Sequence, residues 1–281
     1  MKELGGILGG TDQIINRHLL GLKTSDRNGR SYRHKGEASN LKHGLDAESM
    51  LGQLVKQIRK NLLERDPNSI GNSNENWREE LKPIFDEQEN RSKEVRLERK
   101  IAQALRDLGK RRKEKSNWWN QMPIASGLVR STDDRRRAID LVHRHRQDGK
   151  RYDFVELKID SDTPLFALME ILRYGIVYLV LREKRVWLPE VSREKPVFNA
   201  EYVGLRVLAP KIYYCNLNLS WLEEKINLAL PQIIKELRND LTLTMDISSQ
   251  WPTQLEEWDE TILTDDSRLL SLLNEWNPAY L

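Results

Sequence analysis

The 281-residue sequence contains a single cysteine, Cys215, so no disulfide can form within the chain. Small secreted domains held together by disulfides are therefore excluded, and one thiol fits a reducing compartment. The opening stretch MKELGGILGGTDQ lacks the long apolar core of a signal peptide. The longest apolar stretch, residues 164–181, contains Glu170 and Arg173, so we predict a buried helix there and not a membrane span. We expect a cytoplasmic protein without membrane association.

Three common catalytic signatures are also missing. The glycine-rich GGILGG at residues 5–10 lacks the lysine of a phosphate-binding loop of the Walker type. The sequence has no Gly-x-Ser-x-Gly nucleophile motif and no Cys/His spacing that fits a zinc site. Any chemistry must therefore come from another set of residues.

Charge is distributed unevenly along the chain, although the net charge is only +3. Residues 91–115 hold 11 Lys/Arg against 4 Asp/Glu, and residues 130–151 hold 8 against 4. Residues 239–281 hold 1 against 9. This asymmetry predicts a basic face suited to a phosphate backbone and an acidic tail elsewhere. Charged helices that are simply solvated remain the alternative.

Hydrophobic periodicity predicts an α/β protein with a mixed central sheet flanked by helices. Helices are predicted over residues 12–22, 46–65, 77–88, 91–109, 164–181, 220–237 and 268–276. Strands are predicted over residues 122–129, in both arms of a hairpin at 137–159, once or twice within 202–215, and over 241–248. We divide the chain into an N-terminal arm and helical region, residues 1–90, and a main domain, residues 91–281.

The hairpin, RAIDLVHRHRQDGKRYDFVELKI, is the feature around which the rest is organised. Successive side chains alternate faces in a strand, so Glu156 and Lys158 point the same way. Whether Asp140 joins them depends on the turn, because a shift of one residue moves a side chain to the other face.

Two turns are compatible with the Asp-Gly pair of this hairpin. A three-residue loop at 147–149 with Gly149 left-handed would form a G1 bulge and place Asp140 opposite Glu156. A two-residue loop at 148–149 would place Asp140 on the other face. We favour the first register because it gathers two carboxylates and a lysine at one place.

This group of residue types fits phosphodiester hydrolysis. Carboxylate oxygens hold Mg²⁺, which keeps several waters and also binds the substrate phosphate. Asp140 and Glu156 can supply the carboxylate pair, and Lys158 can contact the phosphate or orient the attacking water. Glu98 lies on or beside the buried face of the helix at 91–109, and Glu94 is its rival one turn earlier. Asp153 is a rival acid on the hairpin, but it is predicted on the face opposite Glu156.

Two further pairs in this region have structural interpretations. His143 and His145 share a face, and contact with DNA or simple exposure is favoured over metal binding. Trp118 and Trp119 are interpreted as core or packing residues.

The sequence resembles the PD-(D/E)xK nuclease superfamily on the following residues. Asp140 is followed by fifteen residues and then Glu156-Leu157-Lys158. An acid on the helix before the sheet would correspond to Glu98. Branches of the family carry Gln-x-x-x-Tyr on the helix after the lysine strand, where this chain has Glu170 and Tyr174. Ile139 stands where the family name has proline. The resemblance covers residues 91–215 and does not extend to residues 1–90.

The resemblance implies a restriction-endonuclease-like core and a metal-dependent nuclease acting on DNA, with RNA left open. It implies Mg²⁺ or Mn²⁺ bound by Asp140, Glu156 and Glu98, with Lys158 assisting catalysis. The residues expected to contact nucleic acid are Tyr174, Arg136, Arg137, Arg144 and Arg146. The N-terminal region is expected to select substrate, form a homodimer or bind a protein partner. A bacterial defence, restriction or repair context follows from the resemblance alone. The alternative is a nuclease-fold subunit that binds nucleic acid or takes part in assembly without cutting.

Overall fold

The protein is an α/β fold with one five-stranded mixed sheet flanked by helices, as seen in a computed structural model. The structure describes residues 6–22, 31–32, 41, 44–64, 76–79, 92–114, 117–125, 137–146, 149–184, 194–215, 217–237, 242–250, 257 and 259–276. The predicted fold class is confirmed at this level.

The five strands lie side by side in the order in which they occur along the chain. They are β1 (Trp118–Pro123), β2 (Ala138–Arg144), β3 (Arg151–Leu157), β4 (Tyr202–Leu208) and β5 (Thr244–Gln250). The first three are antiparallel neighbours, whereas β3, β4 and β5 run parallel. Parallel neighbours need crossover connections, and helices supply both of them.

Seven α-helices lie within the described residues. They are α1 (Thr11–Leu20), α2 (Ala47–Leu63), α3 (Lys93–Arg111), α4 (Pro164–Glu183), α5 (Lys211–Tyr214), α6 (Ser220–Glu236) and α7 (Asp266–Trp276). Two one-turn 3₁₀ helices occur at Pro196–Asn199 and Glu260–Leu263. Helix α4 connects β3 to β4, and α5 and α6 lie between β4 and β5.

The sheet buries a hydrophobic cluster on each face. The larger cluster gathers apolar residues of α1, α2, α4 and α6 with sheet residues that include Phe154 and Leu205. The smaller cluster packs α3 and α7 against residues that include Leu141, Val155 and Leu157. Alternate residues of β3 therefore face different helices, as the period of two requires.

Helix α4 is the central helix of the larger cluster. The Thr163 side chain caps it by accepting a hydrogen bond from the Phe166 amide at 3.0 Å. Gly175 allows close approach to β4, since a Cβ there would lie 2.6 Å from Leu205 Cδ1. By length and composition α4 could cross a membrane, but 89% of its most apolar window is buried inside the protein. The predicted burial of this helix is confirmed.

The N-terminal helices share the larger cluster with α4 and α6. Residues such as Ile15 of α1 and Leu54 of α2 are fully buried in it. An ion pair between Asp12 and Arg173, with a separation of 2.7 Å, also connects α1 to α4. The predicted domain boundary near residue 90 lies outside the described residues and stays a prediction.

Several predicted element boundaries were wrong. Strand β1 begins at Trp118 and ends at Pro123, earlier than predicted, because the two tryptophans pair with β2 and fill the core. The predicted strand at 202–215 ends at Leu208, since Pro210 interrupts it and a helical turn follows. Strand β5 runs from 244 to 250 and not from 241 to 248. Trp77 starts no helix, because it lies in a turn with φ of 58°, and residues 80–88 lie outside the described part.

Candidate active site

The hairpin adopts the register with the three-residue loop. Arg144 pairs with Tyr152 and Leu141 with Val155, and one further step along this register places Asp140 opposite Glu156. Gly149 has a φ of +64°, the left-handed conformation that this turn requires. The favoured alternative is confirmed, and the two-residue loop is excluded.

One end of the hairpin brings together the side chains of Asp140, Glu156 and Lys158. They lie just beyond the backbone pair of Leu141 and Val155. Lys158 Nζ lies 2.8 Å from Glu156 Oε1, and Asp140 Oδ2 accepts a hydrogen bond from the Leu157 amide at 2.9 Å. Glu156 and Lys158 are 5% and 8% exposed, whereas Asp140 is half-buried. The two carboxylates and the amine therefore form one site that is open at Asp140.

Glu98 reaches the same site from α3. It is 1% exposed, and its two carboxylate oxygens accept hydrogen bonds from the Asn120 and Gln121 side-chain amides at 2.7 and 2.6 Å. The Gln121 amide nitrogen also lies 3.3 Å from Asp140 Oδ1. One amide thus connects the acid on the helix with the acid on the hairpin.

Gln121 achieves this bridge through an unusual backbone conformation. Its φ is +50° in the middle of β1, a region that residues other than glycine rarely adopt. The neighbouring pairs Asn120–Leu141 and Met122–Ile139 keep their register, so Gln121 stands opposite Asp140. Backbone strain of this kind concentrates at functional sites. The sequence carries no local signal for it.

Glu170 adds a fourth carboxylate to the site. Its Oε2 lies 3.2 Å from Lys158 Nζ, and its Oε1 accepts a hydrogen bond from the Tyr174 hydroxyl at 3.2 Å. Tyr174 is 5% exposed and packs in the larger cluster. The glutamate that replaces the expected glutamine therefore pairs directly with the lysine. The rival acid Glu94 accepts a hydrogen bond from the Ile159 amide at 3.4 Å, also beside the site.

Burial and neighbouring charges shift the pKa values of the carboxyl groups in this site. Burial, followed by the charge of Asp140, raises the pKa of Glu98 to about 8. Burial raises the pKa of Asp140 to about 6 although Lys158 opposes it. Burial and Asp140 also raise the pKa of Glu156 well above its ordinary value. Burial alone would raise the pKa of Glu170. The positive charge of Lys158 has the larger effect, so the pKa of Glu170 is lowered.

The arginines that were predicted to contact nucleic acid lie at different distances from the candidate active site. Burial and the charges of Glu170 and Glu156 raise the pKa of Tyr174 well above its ordinary value, and the charge of Arg137 opposes this rise. Arg144 lies about 13 Å along β2 from Asp140, at ~3.3 Å per residue. It makes an ion pair with Glu79 at 3.7 Å, and Arg146 makes one with Glu114. Arg136 lies outside the described residues. The roles of all four arginines stay predictions.

A second polar cluster lies at the other end of the hairpin. His145 Nε2 lies 2.6 Å from Asp153 Oδ2, and Arg206 Nε lies 3.3 Å from Asp153 Oδ1. The His143 ring stacks on Trp118 with centroids 4.5 Å apart. Burial would raise the pKa of Asp153, but the His145 hydrogen bond and the Arg206 charge hold it below its ordinary value. As predicted, Asp153 lies away from Glu156.

The ligand atoms of His143, His145 and Asp153 lie within 4.8 Å of one another, which is close enough for the three residues to bind one metal ion. Asp153 is already neutralised by Arg206, which lowers its attraction for a cation. The sequence interpretation missed that an acid joins the histidines, because Asp153 is ten residues after His143 and meets it only through the hairpin.

No protein-family model, curated protein or solved structure matches this chain. The geometry of its own residues therefore carries the functional interpretation.

Proposed function

We propose that this protein is a metal-dependent nuclease of the PD-(D/E)xK type, with a restriction-endonuclease-like core, that hydrolyses phosphodiester bonds in DNA. The convergence of Asp140, Glu156 and Lys158 at one end of the hairpin carries the proposal. The order of elements supports it, since a helix bearing an acid precedes the hairpin and a helix bearing Tyr174 follows the lysine.

The donor set fits a hard cation such as Mg²⁺ or Mn²⁺. Asp140 and Glu156 would hold the ion, with Glu98 beside them, because carboxylate oxygens are the ligands these ions prefer. The raised pKa values of these three carboxyl groups fit as well, since a nearby positive charge favours their ionised forms. A bound Mg²⁺ would supply a Lewis acid for the phosphate and lower the pKa of the attacking water.

The remaining residues of the site orient its charged groups. Lys158 is held between Glu156 and Glu170, where its ammonium can contact a phosphate oxygen or orient the attacking water. Gln121 holds Glu98 and Asp140 in fixed relation through its amide. The Leu157 amide fixes one oxygen of Asp140 and leaves the other directed toward Gln121.

The experiment compares cleavage of supercoiled plasmid, linear duplex, single-stranded DNA and RNA in the presence of Mg²⁺ or Mn²⁺. Asp140→Asn and Lys158→Ala test the site. Asp160→Asn is the matched control, because Asp160 is an exposed acid that pairs with Lys93 at the surface. We expect the wild type and Asp160→Asn to cut equally, EDTA to stop cleavage, and both site variants to lose it.

The proposal fails if the wild type binds nucleic acid but cuts none of these substrates with either ion. That outcome would favour the non-cutting binding or assembly subunit. Cleavage that survives in Asp140→Asn and Lys158→Ala would place the activity elsewhere in the chain or in a contaminant.

A further inference from the structure

The Gln121 side chain lies between two acids of the candidate active site. Its Nε2 donates a hydrogen bond to Glu98 Oε2 at 2.6 Å and lies 3.3 Å from Asp140 Oδ1. The other Asp140 oxygen accepts a hydrogen bond from the Leu157 amide. Gln121 and Asp140 are only half-buried, so small solutes can reach this place from solvent.

The backbone of Gln121 directs its side chain to this place. Neighbouring side chains of a regular strand point to opposite faces of the sheet, yet Asn120 and Gln121 both donate to Glu98. The left-handed φ of +50° at Gln121 makes this possible. Such a conformation persists in a residue other than glycine only where the surrounding structure enforces it. The fold therefore sets the direction of the Gln121 amide.

A cation in contact with both Glu98 Oε2 and Asp140 Oδ1 would need the space that the Gln121 nitrogen fills. That nitrogen is within hydrogen-bond reach of both oxygens, whereas Mg²⁺ contacts its oxygen ligands at the shorter distance of about 2.1 Å. The Gln121 amide must therefore turn or withdraw before the two acids can bind one ion.

A glutamine amide can offer a cation its other end. The carbonyl oxygen and the NH₂ group are nearly indistinguishable in shape, and the last torsion of glutamine has a broad preference. Half a turn about this torsion exchanges the nitrogen for the oxygen at the same place. Carbonyl oxygens are ligands that suit Mg²⁺ and Mn²⁺. The nitrogen end thus suits the two carboxylates alone, and the oxygen end suits the carboxylates with a cation.

We propose that Gln121 is a further ligand of the divalent cation, and that its amide turns from donor to the two acids into carbonyl ligand when the cation binds. This assignment deepens the proposed function and rests on it. The site already holds four carboxyl groups, those of Asp140, Glu156, Glu98 and Glu170. A neutral oxygen adds a ligand without adding negative charge to them.

The test measures binding of Mn²⁺ to the full chain without nucleic acid, from the electron paramagnetic resonance signal of free Mn²⁺. Gln121→Gly removes the amide where the backbone conformation suits glycine, so this variant should fold. We expect it to bind Mn²⁺ roughly 10-fold or more weakly, since even a residue that only supports a metal ligand typically contributes that much. Gln103→Ala is the matched control and should bind as wild type does, because Gln103 is a half-buried glutamine that donates to Asp107 on α3.

A loss in Gln121→Gly would also follow if the amide only held the two acids in place, so Gln121→Glu separates these roles. An ionised glutamate keeps the oxygen but has no proton to donate. We expect Gln121→Glu to bind Mn²⁺ at least as tightly as wild type does. Binding as weak as that of Gln121→Gly would overturn the assignment.

Nuclear magnetic resonance tests the turn of the amide directly. The side-chain NH₂ signals of Gln121 are assigned by their loss in Gln121→Gly. Saturating Mg²⁺ should move these proton signals upfield, because protons released from carboxylates are less deshielded. Signals that stay in place would show that the amide keeps its bonds to both acids, and they would overturn the proposal.

The outcomes also separate this assignment from the proposed function. If the wild type cuts DNA and Gln121→Gly matches it in Mn²⁺ affinity, the Gln121 assignment is overturned and the nuclease proposal stands. If Asp140→Asn abolishes Mn²⁺ binding but the wild type cuts no substrate, the nuclease proposal fails and the two Gln121 variants alone decide the ligand. If the wild type binds no Mn²⁺, both proposals fail.

Discussion

Replacing Glu98 with glutamine should stabilise the metal-free protein at neutral pH. The pKa of this carboxyl rises from its ordinary value of 4.5 to about 8 in the folded protein. At pH 7 the group is ionised in the unfolded chain but mostly protonated in the folded one. Folding must therefore take up a proton, which costs about 1.4 kcal/mol for each pH unit above 4.5, or about 3 kcal/mol at pH 7.

Glutamine avoids this proton uptake but has one acceptor oxygen for two donors. Asn120 and Gln121 each donate to one oxygen of Glu98, so one of these hydrogen bonds is lost, at about 1 kcal/mol. We expect Glu98→Gln to raise the free energy of unfolding by about 2 kcal/mol at pH 7. A carboxyl group with a raised pKa contributes its full stability when the pH is below its pKa in the unfolded chain. This stability is lost as the pH rises toward its pKa in the folded protein. The gain should therefore shrink as the pH falls, disappear at about pH 5, and give way to a small loss near pH 4.5, where only the lost hydrogen bond counts.

Urea unfolding in EDTA, followed by circular dichroism between pH 4.5 and pH 8, measures this difference. Glu94→Gln is the control, one turn earlier on the same helix. Burial would raise the pKa of Glu94, but hydrogen bonds from Ser161 and backbone amides outweigh it and the pKa is lowered. Its replacement should destabilise the protein at pH 7, with the loss shrinking as the pH falls. A Glu98→Gln protein that is less stable than wild type at pH 7, or a difference that does not change with pH, would refute this reasoning.

Two other substitutions test the packing and charge of the sheet. Gly204→Ala should lower the free energy of unfolding by about 1–3 kcal/mol, because a Cβ there would lie 2.2 Å from Asp153 Oδ1. Gly44→Ala should leave the free energy of unfolding unchanged, because no atom in the described part of the chain lies within 4 Å of a Cβ at that position. Thermal melts of the two variants test both expectations. Lys158→Met should cost about 3–5 kcal/mol at pH 7 by leaving buried carboxylates without their cation. Urea unfolding should show this loss shrinking as the pH falls and the carboxyl groups take up protons, and a loss independent of pH would contradict the assignment.

Local chemistry made the core of the candidate site predictable from the sequence. The Asp-Gly pair limited the hairpin to two turns, and the register with Asp140 opposite Glu156 was favoured because it gathers two carboxylates and a lysine; the structure has that register. Strand alternation then puts Lys158 with Glu156. The acid Glu98 was found because its position on the buried side of α3 follows from helical periodicity. Each of these inferences depends on residues near one another in the chain.

The structural features that the sequence did not predict depend on contacts between segments that are distant in the chain. Gln121 reaches Glu98 and Asp140 only through a left-handed residue inside a strand, which no sequence pattern signals. Tyr213 was assigned to a strand, because the helical turn after Pro210 is too short to show periodicity. The partner of Arg146, Glu114, lies 32 residues earlier in the chain, so its ion pair was not foreseeable.

The most direct test of the central claim is an anomalous difference map from crystals grown with saturating Mn²⁺. We predict a strong peak in contact with the carboxylates of Asp140 and Glu156. No peak at those carboxylates, or a single peak among His143, His145 and Asp153 at the other end of the hairpin, would contradict the proposed metal centre.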